Sequence, residues 1–196
     1  MSELVNDIST IEEPQETLSM NPRKFILWLF IVSIIMLFAA MTSAYLVRRA
    51  EGNWIEFDIP SVFTYSSIVL VISSLTMHWA YLAAKKDNFG NLKLAITITF
   101  VLGAAFLYMQ FQGWVDLVNE NVFFVGNPSG SFMYVFTGLH GFHLISGLLI
   151  LIFALVAAFR LRIHAKNLNQ IEIAATYWHF LDILWLYLFI FLVYFH

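Results

Sequence analysis

The amino-acid sequence predicts an all-α fold, an integral membrane bundle of five transmembrane helices, and three observations predict it. Of 196 residues, 60% are apolar and only 12% charged, about half the charged share of an ordinary soluble domain. Five apolar runs each reach the roughly 20 residues needed to cross about 30 Å of hydrocarbon as a helix. Nothing in the sequence alternates apolar and polar over segments of about ten residues, as the strands of a closed barrel would.

The spans follow in order. The first is 25–47, the second 59–84, the third 94–115, the fourth 131–159 and the fifth 171–195. The first four contain no Lys, Arg, Asp or Glu. Ahead of them, residues 1–22 carry Glu3, Asp7, Glu12, Glu13 and Glu16 with Pro14 and Pro22, a composition expected of an acidic, disordered cytoplasmic tail. That segment lacks the basic start and short apolar core of a signal peptide, so the first apolar run is expected to stay in the mature chain.

Basic residues set the expected orientation. Eight of them, Arg23, Lys24, Lys85, Lys86, Lys93, Arg160, Arg162 and Lys166, fall on one side; only Arg48 and Arg49 fall on the other. The N-terminus should face the cytoplasm and the C-terminus the outside. The connections are short, so consecutive helices should run antiparallel, and no large domain stands outside the bilayer. The absence of Cys excludes a disulfide framework, thiolate metal sites and iron–sulfur clusters. A net charge of −3 gives no electrostatic footprint for nucleic acid.

Ionisable residues inside a membrane are costly and mark places to look for function. Here they are His78, His140, His143, Glu172, His179 and Asp182. On the fourth span, His140 and His143 lie on neighbouring lines of one face, interleaved with Gly138, Gly141 and Gly147. Small residues let another backbone come close in a membrane, so this face should pack tightly and hold the imidazoles between helices. Metal or haem ligation, a lipid headgroup contact and a proton relay remain open for the pair. On the fifth span, Glu172, Thr176 and His179 share one line, with Asp182 one turn deeper and about 60° round. An Asp near mid-helix costs roughly 3 kcal/mol on insertion scales and calls for a partner. His179 and His143 are the available ones, which suggests a structural His–Asp bond or a proton-transfer seam. The hydroxyls of the second span (Ser66, Ser67, Ser73, Ser74 and Thr76) are expected to pack or bridge between helices. Trp28, Trp79 and Trp114 sit near span ends, as interfacial anchors do. Metalloprotease, phosphate-loop, dinucleotide and nucleophile-elbow motifs are all missing. From the residues alone the chain is a five-helix bundle with a buried polar seam and no evident active site.

Two stretches carry a family resemblance: TGLHGFHLISG at 137–147 and EIAATYWHFLDILWLYLF at 172–189. Within the second, Tyr177-Trp178-His179-Phe180 is followed by Asp182 and then by Trp185-Leu186, with Glu172 seven positions before His179. SSLTMHWAYLA at 73–83 adds to it. Over residues 24–196 the chain resembles subunit III of the haem–copper terminal oxidases, the cytochrome c oxidase subunit III family, in its short five-helix bacterial form. Longer members have two further helices at the start, and lipids sit between those two and the other five. The family's first-helix carboxylate is replaced here by Ile34, so no role of that acid carries over. The resemblance implies a non-catalytic subunit that packs on subunit I, stabilises it through turnover and supports proton uptake at its cytoplasmic side. Subunit II, subunit IV and a larger respiratory supercomplex are further implied partners. It also implies haem and copper in partner subunits and none in this chain; without the two further helices, a site for a bound phospholipid would have to be completed by a neighbouring subunit. The location implied is a bacterial cytoplasmic membrane. His78, His140, His143, Glu172, His179, Asp182 and Trp185 match family motifs and are implied to be structural or lipid-contacting positions. The alternatives are the related accessory protein of nitric oxide reductase, an autonomous proton or ion carrier, and a haem-binding membrane cytochrome.

Overall fold

A computed structural model describes residues 21–160 and 168–195. The described residues form five helices: α1 (Pro22–Ala50), α2 (Ser61–Lys85), α3 (Phe89–Asn119), α4 (Pro128–Phe159) and α5 (Asn169–Phe195). Each is long and apolar enough to cross a membrane, and no strand occurs among the described residues. Most helices overrun the apolar spans, because capping side chains hold extra turns beyond the hydrocarbon. Asn21 Oδ1 accepts from the Arg23 amide, Asn88 Oδ1 from Asn91 and Asn127 Oδ1 from Ser129, each satisfying an orphan donor of a first turn. Pro22 and Pro128 follow two of these caps, at the position where a missing N–H costs nothing. α2 instead begins after Pro60, so Ile59 and Pro60 of the second predicted span lie outside the helix. Of the acidic tail, only Asn21 and Pro22 fall among the described residues, and Pro22 is already helical.

Helices α2, α3, α4 and α5 form a ring in which each packs on the next, the α2–α3 contact being the most extensive. α1 lies over the α4–α5 groove and makes no close backbone approach to α2 or α3. Three far-apart contacts fix it there. Lys24 pairs with Glu172 at the α5 start. Thr42 Oγ1 accepts from the Tyr187 hydroxyl at 3.2 Å, and the Tyr45 hydroxyl donates to the Phe195 carbonyl at 3.2 Å.

Arg23, Lys24, Lys85, Lys86 and Arg160 occur at helix ends that share one face of the bundle, called here the basic face. Arg48 and Arg49 lie opposite and face Glu51 and Glu56 in ion pairs of 2.8 and 3.9 Å.

Candidate functional site

The centre of the bundle is built on α5. Trp178 and Trp185, seven residues apart, point the same way and are almost wholly buried. Their indole N–H groups donate to Ser73 Oγ at 3.0 Å and Ser67 Oγ at 2.9 Å on α2. Ser66 Oγ accepts from Gln110 Nε2 of α3 at 3.0 Å, and Thr76 and Thr99 bond across α2 and α3 at 2.8 Å. Ser66, Ser67 and Ser73 of α2 are therefore acceptors in an interhelical ladder. In a membrane such bonds contribute on the order of 0.6–2 kcal/mol each.

Room for the Trp178 ring comes from missing side chains. A Cβ on Gly103 of α3 would lie 2.6 Å from Trp178 Cη2, and one on Gly147 of α4 would lie 2.9 Å from Leu181 Cδ1. Only hydrogen at these two positions lets the rings seat between α3 and α4. Gly138 and Gly141 are different: a Cβ on either meets nothing nearer than 3.7 Å. Of Gly138, Gly141 and Gly147, where a tight approach is expected, only Gly147 has one.

The histidines and the acid do not form the expected seam. His143 Nδ1 donates to the Leu139 carbonyl of its own helix at 2.7 Å, and its ring packs against Phe30 and Phe38 of α1. His179 Nδ1 lies 2.7 Å from Ser74 Oγ. Asp182 is buried, and neither of its carboxyl oxygens has a hydrogen-bond partner. The reason is rotational. Asp182 falls four residues after Trp178 and three before Trp185, on the side of α5 that meets α2, whereas His143 faces the α1 side of α4. His143 therefore stands apart from Asp182 and His179, and the three do not form one arrangement.

His140 is fully buried with both ring nitrogens unpartnered. Trp185 lies against it at a centroid distance of 4.9 Å, and Phe106 meets it edge-on at 5.8 Å. An unsatisfied polar group is expensive, and an apolar group of similar shape removes that cost. His140→Leu is therefore expected to hold or raise the thermal midpoint of the detergent-purified chain. A drop of several degrees would show that this imidazole has a partner.

Glu172 and His179 meet His78 at the basic face. There a cavity of about 390 Å³ opens between α1, α2 and α5. Its polar lining is Lys24, His78, Tyr81, Glu172, Thr176 and His179, and Leu27, Trp28 and Ile173 supply apolar walls. The His78 and His179 rings stand 6.3 Å apart, and Lys85 Nζ lies 4.6 Å from the centre of the Tyr81 ring. Motif spacing on α5 alone could not find this cavity, because two of its walls come from helices far away in sequence. Among the described residues, no three His, Cys, Asp or Glu side chains gather as a metal site. Of the expected interfacial anchors, Trp28 and Trp79 are exposed, while Trp114 turns inward and donates to Thr137 Oγ1 at 2.9 Å, tying α3 to α4.

Comparison with known proteins decides the family. The family model described as cytochrome c oxidase subunit III matches residues 5–196. The chain belongs to the cytochrome c oxidase subunit III family. A probable cytochrome c oxidase subunit 3 of Nocardia farcinica is 33% identical over 170 residues, covering 84% of this chain and 82% of the relative. The cytochrome c oxidase subunit 3 of Bacillus sp. (strain PS3) is 30% identical over 167 residues, covering 83% and 80%. The cytochrome bo(3) ubiquinol oxidase subunit 3 of Buchnera aphidicola is 28% identical over 176 residues, covering 87% and 93%. As a subunit III, the chain is a multi-pass membrane protein and a non-catalytic subunit of a haem–copper oxidase. The carrier, cytochrome and nitric oxide reductase readings are not favoured.

Proposed function

We propose that this subunit III packs on the catalytic subunit I of a respiratory oxidase in a bacterial cytoplasmic membrane, beside subunit II and a subunit IV, with its N-terminus in the cytoplasm. Haem and copper belong to those partners. This chain's contribution is a rigid scaffold that keeps the catalytic subunit intact while it reduces oxygen and pumps protons. The family match across residues 5–196 carries the reading. The indole–hydroxyl ladder supports it, since a bundle cross-tied on α2 and α5 suits a brace. Mild-detergent purification of this chain from its native membrane tests it. Co-purification of a large haem- and copper-containing subunit is the expected result. A chain that elutes alone and colourless would overturn the reading.

The cavity at the basic face is the place we assign to a phospholipid headgroup. A phosphate can reach Lys24, and a headgroup ammonium can reach Glu172. The acyl chains would leave along Leu27 and Trp28, which belongs to the exposed apolar side of α1. Lys24→Ala is expected to reduce the phospholipid carried by the purified complex at least twofold, as counted by mass spectrometry, without loss of subunits. Unchanged lipid content would remove the assignment. The Lys24–Glu172 pair is part-exposed, so its loss alone should change stability by less than about 1 kcal/mol.

A further inference from the structure

Asp182 stands midway along α5, which puts its carboxyl near the bilayer centre, about 15 Å from either edge of the hydrocarbon. It is 3% exposed, and both of its oxygens lack a hydrogen-bond partner. Among the described residues, every Lys and Arg lies at or near a helix end, so none shares this depth. The groups around it are few. α2 offers Ser74, with His78 one turn nearer the basic face, and α5 itself offers His179. His140 of α4 lies against Trp185, to the outer side. Lys24 of α1 is paired with Glu172 at the basic face. The buried residues of α3 include no titratable side chain. A carboxylate accepts only, and needs donors for both oxygens; a carboxylic acid needs one acceptor for its O–H. These surroundings hold an acceptor and no cation, and an unpaired charge at such depth is costly.

The acceptor is Ser74. Its Oγ lies 2.7 Å from His179 Nδ1, and the same hydroxyl is the polar neighbour of the Asp182 carboxyl, short of a hydrogen bond. His179 also lines the basic-face cavity. With Nδ1 turned to Ser74, its Nε2 is the nitrogen left to meet water there. Three neutral groups then fit one direction of donation: Asp182 O–H to Ser74 Oγ, Ser74 O–H to His179 Nδ1, and Nε2–H to the cavity. A proton can leave along this line. Asp182 gives its proton to Ser74 Oγ as Ser74 passes its own to Nδ1, and the imidazolium releases the Nε2 proton to cavity water. Asp182 is left a carboxylate, Ser74 unchanged, and His179 neutral with its hydrogen on Nδ1; the reverse order reloads the acid. The outer side offers no continuation. Leu70, Val71 and Ile72 come next on α2, and Ile183 and Leu184 on α5. The Trp185 N–H is already given to Ser67, and His140 has no partner on either nitrogen.

We infer that Asp182 is a proton-holding site at the middle of the membrane, filled and emptied only from the basic face through Ser74 and His179. It is a store and not a channel. This goes beyond the scaffold reading and does not depend on which partners the chain binds. Infrared spectroscopy of the purified full chain, carrying isotope-labelled aspartate carboxyls, tests it. A carbonyl band of a protonated aspartic acid is expected at neutral pH, and Asp182→Asn should abolish it. A spectrum without that band, or a band that survives Asp182→Asn, would overturn the inference. The route has its own readout. Transfer to heavy water shifts the band as O–H becomes O–D. Ser74→Ala removes one oxygen and keeps the packing, yet should slow that shift by an order of magnitude or more, as should His179→Phe. His143→Phe, which changes a histidine off the line, should leave the rate unaltered. Undiminished exchange in Ser74→Ala, or equal slowing in His143→Phe, would overturn the route.

Discussion

Gly103→Ala lowers the thermal midpoint of the detergent-purified chain by several degrees, whereas Gly141→Ala leaves it unchanged. The contrast isolates one methyl group in two environments on neighbouring helices. At Gly103 the added carbon would lie 2.6 Å from Trp178 Cη2, with Leu148 Cδ2 at 3.0 Å on its other side. The indole cannot retreat without losing its 3.0 Å bond to Ser73. Overpacking of this kind costs about 1–3 kcal/mol, and Gly103→Leu should prevent the four-helix ring from closing. At Gly141 the nearest atom is 3.7 Å away, an ordinary contact. Scanning fluorimetry on both variants, with membrane abundance as a check, reads the difference. Equal midpoints would mean that Trp178 does not sit where α3 and α4 hold it.

The second large effect belongs to Trp185. Trp185→Ala should reduce the abundance of the folded subunit by an order of magnitude or more. Its ring touches three others, Phe106 at 5.0 Å, His140 at 4.9 Å and Phe63 at 6.4 Å between centroids. Truncating a buried Trp to Ala costs about 3–5 kcal/mol, through a cavity the surroundings only partly fill. Ser67 would lose its donor and His140 the ring that covers it. Trp185→Phe keeps most of the packing and gives up only the bond to Ser67, a cost of about 1 kcal/mol. A phenylalanine variant as depleted as the alanine variant would place the weight on the hydrogen bond and not on the ring.

The spans were legible because hydrocarbon tolerates little else: each apolar run became a helix. Helix ends were less so, since Asn21, Asn88 and Asn127 extend helices past the apolar residues, and caps leave no mark on hydropathy. The ladder on α2 was half legible. Ser66 and Ser67 recur seven residues later as Ser73 and Ser74, and Trp178 and Trp185 repeat at the same interval. One hydroxyl of each pair meets an indole, Ser73 with Trp178 and Ser67 with Trp185, so the matching intervals are a register signal that no single residue carries. Asp182 shows where spacing stops helping. Its distance along the helix from His179 is fixed by sequence, but which neighbour each of them faces depends on how α5 is rotated in the bundle. Two glycine notches set that rotation, and both lie on other helices.

The way α1 is held has a consequence for how the chain is made. Its polar anchors are Glu172, Tyr187 and Phe195, all on α5, which leaves the ribosome after the other four helices described. About 145 residues separate Thr42 from Tyr187, which at 5–20 residues per second is about 7–30 s of synthesis. For that time α1 stands in the bilayer with only the α4 half of its resting place at most, a client for insertion factors and a target for membrane proteases. A chain cut short before α5 would hold α1 against α4 at most, without its three polar anchors. Quality control can therefore recognise an unfinished subunit by its beginning.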